Sequence, residues 1–260
     1  MSARVSQSLS FSLILCCFYT PIGMDQNSVQ DRTGILYMIT CLGFIGMLNN
    51  IAIYPTERNV FYREYVDGGY SVMAFFLTYF ILAIPFIFLS AIITSILLTY
   101  VTQLASTQEA FLVFVYVTFC FMLVGECLGV AFCSAIYHIG CSVNIMSVII
   151  SLFNIMAGYL SVQMPFILKR FNDISPLKWG SVILANVALK SVDFTCDENE
   201  KYYGECPIAT GQQVLELYQL DDRSVGGDYN DHLIALGSIV AFFFVVAYVA
   251  LRLKGYTLSH

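Results

Sequence analysis

Charge is what this 260-residue chain has least of: 12% of its residues are Asp, Glu, Lys or Arg, against about a quarter in ordinary soluble domains. That shortage speaks against a water-soluble fold. The twelve Lys and Arg form no basic patch, so a nucleic-acid partner, which needs a cationic surface, is excluded. No G-x-x-x-x-G-K-[ST] stretch is present, and without a phosphate-cradling loop the chain itself should not hydrolyse ATP. Neither H-E-x-x-H nor a paired C-x-x-C occurs, and the three histidines, His138, His232 and His260, fall at different segment ends. A resident metal site is therefore not expected. The absence of any N-x-[ST] sequon removes N-glycosylation.

In place of charge the chain has long apolar runs, and 58% of its residues are hydrophobic. A helix crossing a bilayer needs about 20 mainly apolar residues, and six stretches meet that need: 5–22, 34–53, 72–101, 110–136, 143–168 and 233–251. The pattern predicts an all-α polytopic membrane protein with six transmembrane helices and a large structured extracytoplasmic segment, 169–232, before the last. Pro85 lies inside the third run and predicts a kink. The first run has Arg4 as its only leading charge and no small-residue cleavage site after it, so it reads as a span and not as a secretory signal.

Basic residues in short connections orient such a bundle. A cytoplasmic N-terminus puts Arg4, Arg58, Arg63, Arg252 and Lys254 inside and Arg32 outside, with Lys169 and Arg170 against the rule. The same orientation places residues 169–232, which hold most of the acids, on the non-cytoplasmic side. Seven of the nine cysteines sit in apolar runs and read as packing residues. Cys196 and Cys206 instead flank the polar stretch DENEKYYGE, where they either close a short disulfide loop or remain two loop thiols. Further along, Thr210 and Gln213 fit a capping box, followed by Val214, Leu217 and Tyr218 on one face of a short helix. Before it, ISPLKWGSVILANVALKSV predicts a re-entrant or interfacial hairpin anchored by Trp179.

A few polar residues lie within the apolar runs. Glu126, in VGECLGV, is the one acid in mid-span, which marks either a functional site facing a cavity or a side chain held by a polar partner such as Asn144 or Asn154, or protonated. Asn144, Ser151 and Asn154 recur at helical intervals, as a cavity stripe or as interhelical glue. The stretch YPTERNVFYREYVDGGYS, 54–71, crowds Glu57, Arg58, Arg63 and Glu64 between two spans. Within it Phe61 and Tyr65 share a helical face, an Arg63–Asp67 pair is possible, and Asp67-Gly68-Gly69 permits a sharp turn.

These residues carry a resemblance. Gln30-x-Arg32-x-Gly34, then Glu57, Arg58, Phe61, Arg63 and Glu64 in E-R-x-x-F-x-R-E, Tyr70 opening the third span, Pro85 within it and the late CPIATGQQVLELYQL together resemble the transmembrane domain of G-subfamily ABC transporters. This white and pleiotropic drug resistance group has fungal members of closely similar flavour. The resemblance covers essentially the whole chain. It implies a permease that moves an apolar or amphipathic substrate, such as a lipid, sterol or drug, by alternating access, in a plasma or vacuolar membrane with both termini cytoplasmic. It implies a partner nucleotide-binding domain that holds ATP and Mg, because that domain normally precedes the helices and is absent here. It also implies a second transmembrane half, as a homodimer, a heterodimer or one polypeptide. The stretch 54–71 would couple to the motor. Alignment through Gly34 and Gly158 implies a substrate path along Leu42, Ile45, Ser151 and Asn154, with Tyr159 and Leu160 as an apolar plug; Glu126 is the added candidate. A truncated assembly or regulatory fragment is the alternative, and an intramembrane enzyme using Glu126 is a third reading.

Overall fold

Residues 108–135 join bulky apolar side chains to small ones, contain no proline, and carry Glu109 in the first turn, where an acid opposes the helix dipole favourably. They form one unbroken helix, and the rest of the chain is built around it. In the computed structural model, which describes residues 2–105, 107–161, 165–195, 206–221 and 225–259, the helices are α1 (Ser2–Tyr19), α2 (Gln26–Thr40), α3 (Leu42–Val66), α4 (Val72–Ile96), α5 (Gln108–Ala135), α6 (Ile139–Ile155), α7 (Phe166–Asn172), α8 (Pro176–Leu189), α9 (Gly211–Leu217) and α10 (Tyr229–Ser259). The fold is all-helical; among the described residues the only bridges are Asp25–Thr195 and Asp193–Thr210.

Among the described residues four helical stretches are long and apolar enough to cross a membrane: Gln26–Val66, Val72–Val101, Gln108–Ala135 and Tyr229–Gly255. Their outward faces carry Leu77, Ile81, Phe88, Phe242, Val245 and Val249 in the open, a surface that suits lipid. Helix α1 is inverted in the same sense. It turns Ser8 and Ser12 inward, where the Ser12 hydroxyl donates to Thr94 Oγ1 at 3.0 Å, and Leu13, Ile14 and Phe18 outward.

The structure departs from the sequence-based boundaries in four places. The expected second span, 34–53, is two helices broken at Cys41, and the second of them runs on as helix through most of the supposed connection 54–71. At the break the Thr40 hydroxyl lies 2.6 Å both from the Tyr37 carbonyl of its own helix and from Asn154 Oδ1 of α6. The expected fifth span, 143–168, stops at Ile155; Gly158 then takes φ +104, a left-handed conformation suited to glycine, and Pro165 precedes α7. Pro85 leaves α4 helical, and the irregular turn comes later, as a π-helical segment at Leu97–Val101. In α9 the capping box forms as expected from Thr210 and Gln213, but Leu215, not Leu217, is buried beside Val214.

Helix α8, expected as a hairpin segment, packs against α5, α10 and α2 and is buried along most of its length. The tightest contact, however, is between α3 and α5. A Cβ at Gly46 would lie 2.1 Å from the Met122 carbonyl oxygen, one at Gly125 would lie 2.1 Å from the Gly43 carbonyl oxygen, and one at Gly129 would meet Asn50 at 2.4 Å. Small residues let helix backbones close to this distance where lipid gives no hydrophobic drive to associate.

Gly46→Ala and Gly125→Ala should therefore each destabilise the protein by at least about 1–3 kcal/mol, the usual cost of overpacking. Gly140→Ala, where an added Cβ meets nothing within 4 Å, should be neutral. Thermal unfolding of the three purified variants in detergent checks this; three equal melting points would show that α3 and α5 do not depend on the glycine seam.

Candidate functional site

The seam brings Asn50 of α3 against Glu126 of α5, and two further helices complete a cluster around them. Arg4 reaches in from α1 and Tyr79 from α4. The Arg4 Nη2 group donates to Glu126 Oε1 at 2.9 Å and to the Tyr79 hydroxyl at 3.0 Å. Asn50 Nδ2 donates to the same carboxylate oxygen at 3.3 Å and to the Tyr79 hydroxyl at 3.0 Å, while that hydroxyl donates to Glu126 Oε1 as well. All four side chains are buried, Glu126 completely. One carboxylate oxygen thus accepts from three donors on three helices, which is how an ion survives burial at this depth. A narrow cavity lined by Arg4, Ile53, Glu57, Tyr79, Leu82, Ala83 and Phe86 adjoins the cluster.

Glu126 therefore has partners other than those proposed from sequence. Asn144 is exposed on α6, and Asn154 is engaged elsewhere, accepting from Thr40 and donating from Nδ2 to the Ile150 carbonyl at 3.0 Å. Arg4, Asn50 and Tyr79 were not singled out by sequence reasoning. Asn50 and Tyr79 carry a signal like that of Glu126, a polar group inside an apolar run, whereas Arg4 stands at the edge of one.

A second cluster holds the far end of α5. Arg58, fully enclosed, donates from Nη1 to the Cys133 carbonyl and, at 3.4 Å, to the Ile136 carbonyl; its guanidinium lies 5.2 Å from the Tyr137 ring centre and 5.7 Å from that of Tyr62. The last carbonyls of a helix have no partner within it and carry the negative end of its dipole. A cation stacked between aromatic rings satisfies both needs. The Tyr54 and Ser134 hydroxyls bond beside it, and Tyr62 donates to the Ser134 carbonyl at 3.3 Å.

The charged stretch 54–71 is thereby divided. Arg58 and Phe61 point inward, Phe61 stacking on Phe75 with ring centres 4.3 Å apart; Glu57, Arg63 and Glu64 point outward. The Arg63–Asp67 pair that the spacing allows is not among the ion pairs of the described residues, which are Arg4–Glu126 and Lys178–Asp173. Instead Tyr70 donates to Glu64 Oε2 at 2.6 Å across the Gly68 turn, φ +77. Burial, together with the Glu64 carboxylate, pushes the Tyr70 phenol up to about 12, so this clasp keeps its proton through neutral and mildly alkaline pH. Between α3 and α4 a cleft of about 330 Å³ opens, lined by Thr56, Glu57, Val60, Tyr70, Phe75, Thr78, Tyr79 and Leu82.

The residues expected along a substrate path are only partly together. Leu42 and Ile45 are buried; Asn154 is held at the α2–α3 break; Tyr159 is buried with its hydroxyl donating to the Ser181 carbonyl at 3.2 Å and its ring 6.4 Å from Tyr37. Ser151 and Leu160 are exposed on the outer surface of the single chain. Cys206 is disulfide-bonded, and Cys196 lies outside the described residues.

Glu126→Gln leaves the Arg4 guanidinium buried without its counter-charge and should cost about 3–5 kcal/mol of stability. Arg4→Met combined with Glu126→Gln should cost much less than the sum of the two single changes. Unfolding of all four proteins in detergent measures the coupling; strictly additive losses would mean that the pair does not act as one.

The family described as ABC-2 type transporter matches residues 2–188. An ABC transporter ATP-binding protein/permease of Saccharomyces cerevisiae is 34% identical over 85% of this chain. Rat ATP-binding cassette sub-family G member 5 is 23% identical, and the rat broad substrate specificity ATP-binding cassette transporter 22% identical, each over 98% of the chain. The chain spans 17% of the length of the yeast relative and 40% of that of each rat relative.

Proposed function

Since the chain belongs to the ABC-2 type transporter family, with G-subfamily ABC transporters as its relatives, we propose that it is the membrane-spanning, permease part of an ATP-driven exporter for an apolar or amphipathic substrate. The observation that carries this reading is the construction of α3. It runs without a break from the Cys41 bend to Val66, and its free end presents Glu57, Arg63 and Glu64 while Arg58 and Phe61 lock the same turns to α5 and α4. A push on the exposed charges travels as a rigid displacement to the glycine seam and to Leu42 and Ile45 near the opposite end. Alternating access needs such a lever.

In this reading α1 and α6 add two spans to the four long ones, making six. The N-terminus, Arg58 and the end of α10 face the cytoplasm, and residues 169–232 face outward. Support comes from the lipid-suited outer faces of α1 and α6 and from the disulfide at Cys206, which suits an oxidising compartment. The chain carries no phosphate-cradling loop. ATP and Mg would therefore be held by a nucleotide-binding domain beyond the residues described here, and the chain alone would not be an enzyme. A second transmembrane half would complete the cavity, bringing the exposed Ser151 and Leu160 against their counterparts. The apolar lining expected from Leu42, Ile45, Tyr159 and Leu160 supports a lipid, sterol or drug as cargo.

The test is reconstitution of this chain with a nucleotide-binding domain of a G-subfamily relative. ATP hydrolysis should rise when amphipathic substrates are added, and the combined Arg63→Ala and Glu64→Ala change should abolish that rise while leaving the fold and basal hydrolysis intact. Stable pairing with no stimulation by any substrate would favour an assembly or regulatory role and refute transport; turnover without ATP that is lost in Glu126→Gln would point to an intramembrane enzyme instead.

A further inference from the structure

The chain places one segment where neither packing nor the lever accounts for it. Residues 165–171 are exposed one after another, including Phe166 at 74% and Ile167 at 80%, with Phe171 and Ile174 also open. Among these apolar side chains stand Lys169 and Arg170. Neither makes an ion pair among the described residues; the nearest acid in sequence, Asp173, is engaged by Lys178 at 2.6 Å, and the Arg170 guanidinium lies 5.5 Å from the Phe166 ring centre. Up to Arg170, α7 is thus a short apolar and cationic surface that stands open among the described residues.

Its depth in the bundle can be read from its neighbours. Trp179 donates to the Asp173 carbonyl at 2.9 Å and lies 5.5 Å, ring to ring, from His232. Tyr116 donates to the Leu233 carbonyl at 3.0 Å, where the uncharged run of α10 begins. Along α5, Tyr116 and Ile136, beside Arg58, are separated by about 30 Å at the helical rise, which is the thickness of a hydrocarbon core. The C-terminal end of α7 therefore meets the bundle at the membrane boundary opposite Arg58, the level at which Trp is favoured. From there Asn172 donates to the Met156 carbonyl at 2.8 Å and Phe171 lies near Phe153, tacking α7 to the end of α6.

We propose that α7 lies in the headgroup layer of that leaflet, with Phe166, Ile167 and Phe171 among the upper acyl carbons and Lys169 and Arg170 binding the phosphates of anionic phospholipids. The chemistry is complementary at both ends: aromatic and aliphatic side chains seat in the acyl boundary, and two flexible cations extend from it to the phosphate level. The apolar surface is continuous in height with the lipid-facing start of α10, so one bilayer covers both. This inference rests on the chain being a membrane domain but not on its moving any substrate.

The experiment uses the full chain in nanodiscs of phosphatidylcholine with or without phosphatidylglycerol. Trp179 is the only tryptophan, so Trp179→Phe gives a blank background for Ile167→Trp and, as a reference on the lipid face of α10, Val245→Trp. Bromine placed high on the acyl chain should quench tryptophan at 167 more than bromine placed near the chain middle, and the order should reverse at 245. In the otherwise native chain, Lys169→Gln and Arg170→Gln should each lower the phosphatidylglycerol retained through detergent purification by roughly fivefold. Quenching at 245 without quenching at 167, as when a second copy or water covers α7, would overturn the proposal. So would lipid retention that is unchanged after both charges are removed. Absence of quenching at both positions would overturn the membrane-domain reading and this inference with it.

Discussion

Helices α3 and α5 lie backbone to backbone, and the remaining geometry depends on that contact. With no hydrophobic drive between helices in lipid, close approach has to come from the absence of side chains, and Gly43, Gly46, Gly125 and Gly129 supply it. The two helices run in the same direction. Going along α3, Gly46 meets Met122, Asn50 meets Glu126, Tyr54 meets Ser134 and Arg58 meets the carbonyls of Cys133 and Ile136. A parallel pair held this closely shares a register that cannot slip without driving side chains through backbone.

Within that register the polar groups act at two levels. The Arg4–Glu126–Tyr79–Asn50 cluster ties α1, α3, α4 and α5 at one height, and Arg58 closes the open end of α5 about 12 Å further along. Both follow one rule: a charge removed from water survives only where hydrogen bonds are supplied together with a counter-charge, as for Arg4 and Glu126, or with the negative end of a helix dipole, as for Arg58. Glu126, Asn50 and Arg58 are enclosed in the single chain, and Arg4 and Tyr79 line the narrow cavity beside the first cluster. The consequence of both clusters is mechanical, because they join α3 and α5 into one body, and the end of α3 carries Arg63 and Glu64 in the open. The other polar attachment, Thr40 to Asn154, lies across the bend at Cys41 and joins α6 to the point where that rigid body ends.

The helical class and the membrane were legible in the sequence because both are set by local quantities: length of apolar run, scarcity of charge and hydropathy. So were the capping box at Thr210, the turn at Gly68 and the isolation of Glu126. Breaks were harder to place. The second apolar run reads as continuous, yet its helix is interrupted at Cys41, where Thr40 and Cys41 meet Asn154 of a helix more than a hundred residues away. The fifth reads as one span but stops where Gly158 adopts a positive φ beside Leu220.

What the sequence by itself determined is therefore the solvent of this protein, the helices that solvent requires and the few polar side chains that need a reason to be there. Only the tertiary structure decided which of those side chains meet. Arg4 reads as a flank, Asn50 as a span end and Arg58 as part of a solvated connection; in the fold they become an ion pair's donor, its neighbour and a helix cap. The physical reason is that hydropathy prices each residue separately, whereas a buried charge is stabilised by donors from several helices at once, and those helices converge only after the glycines have let their backbones touch.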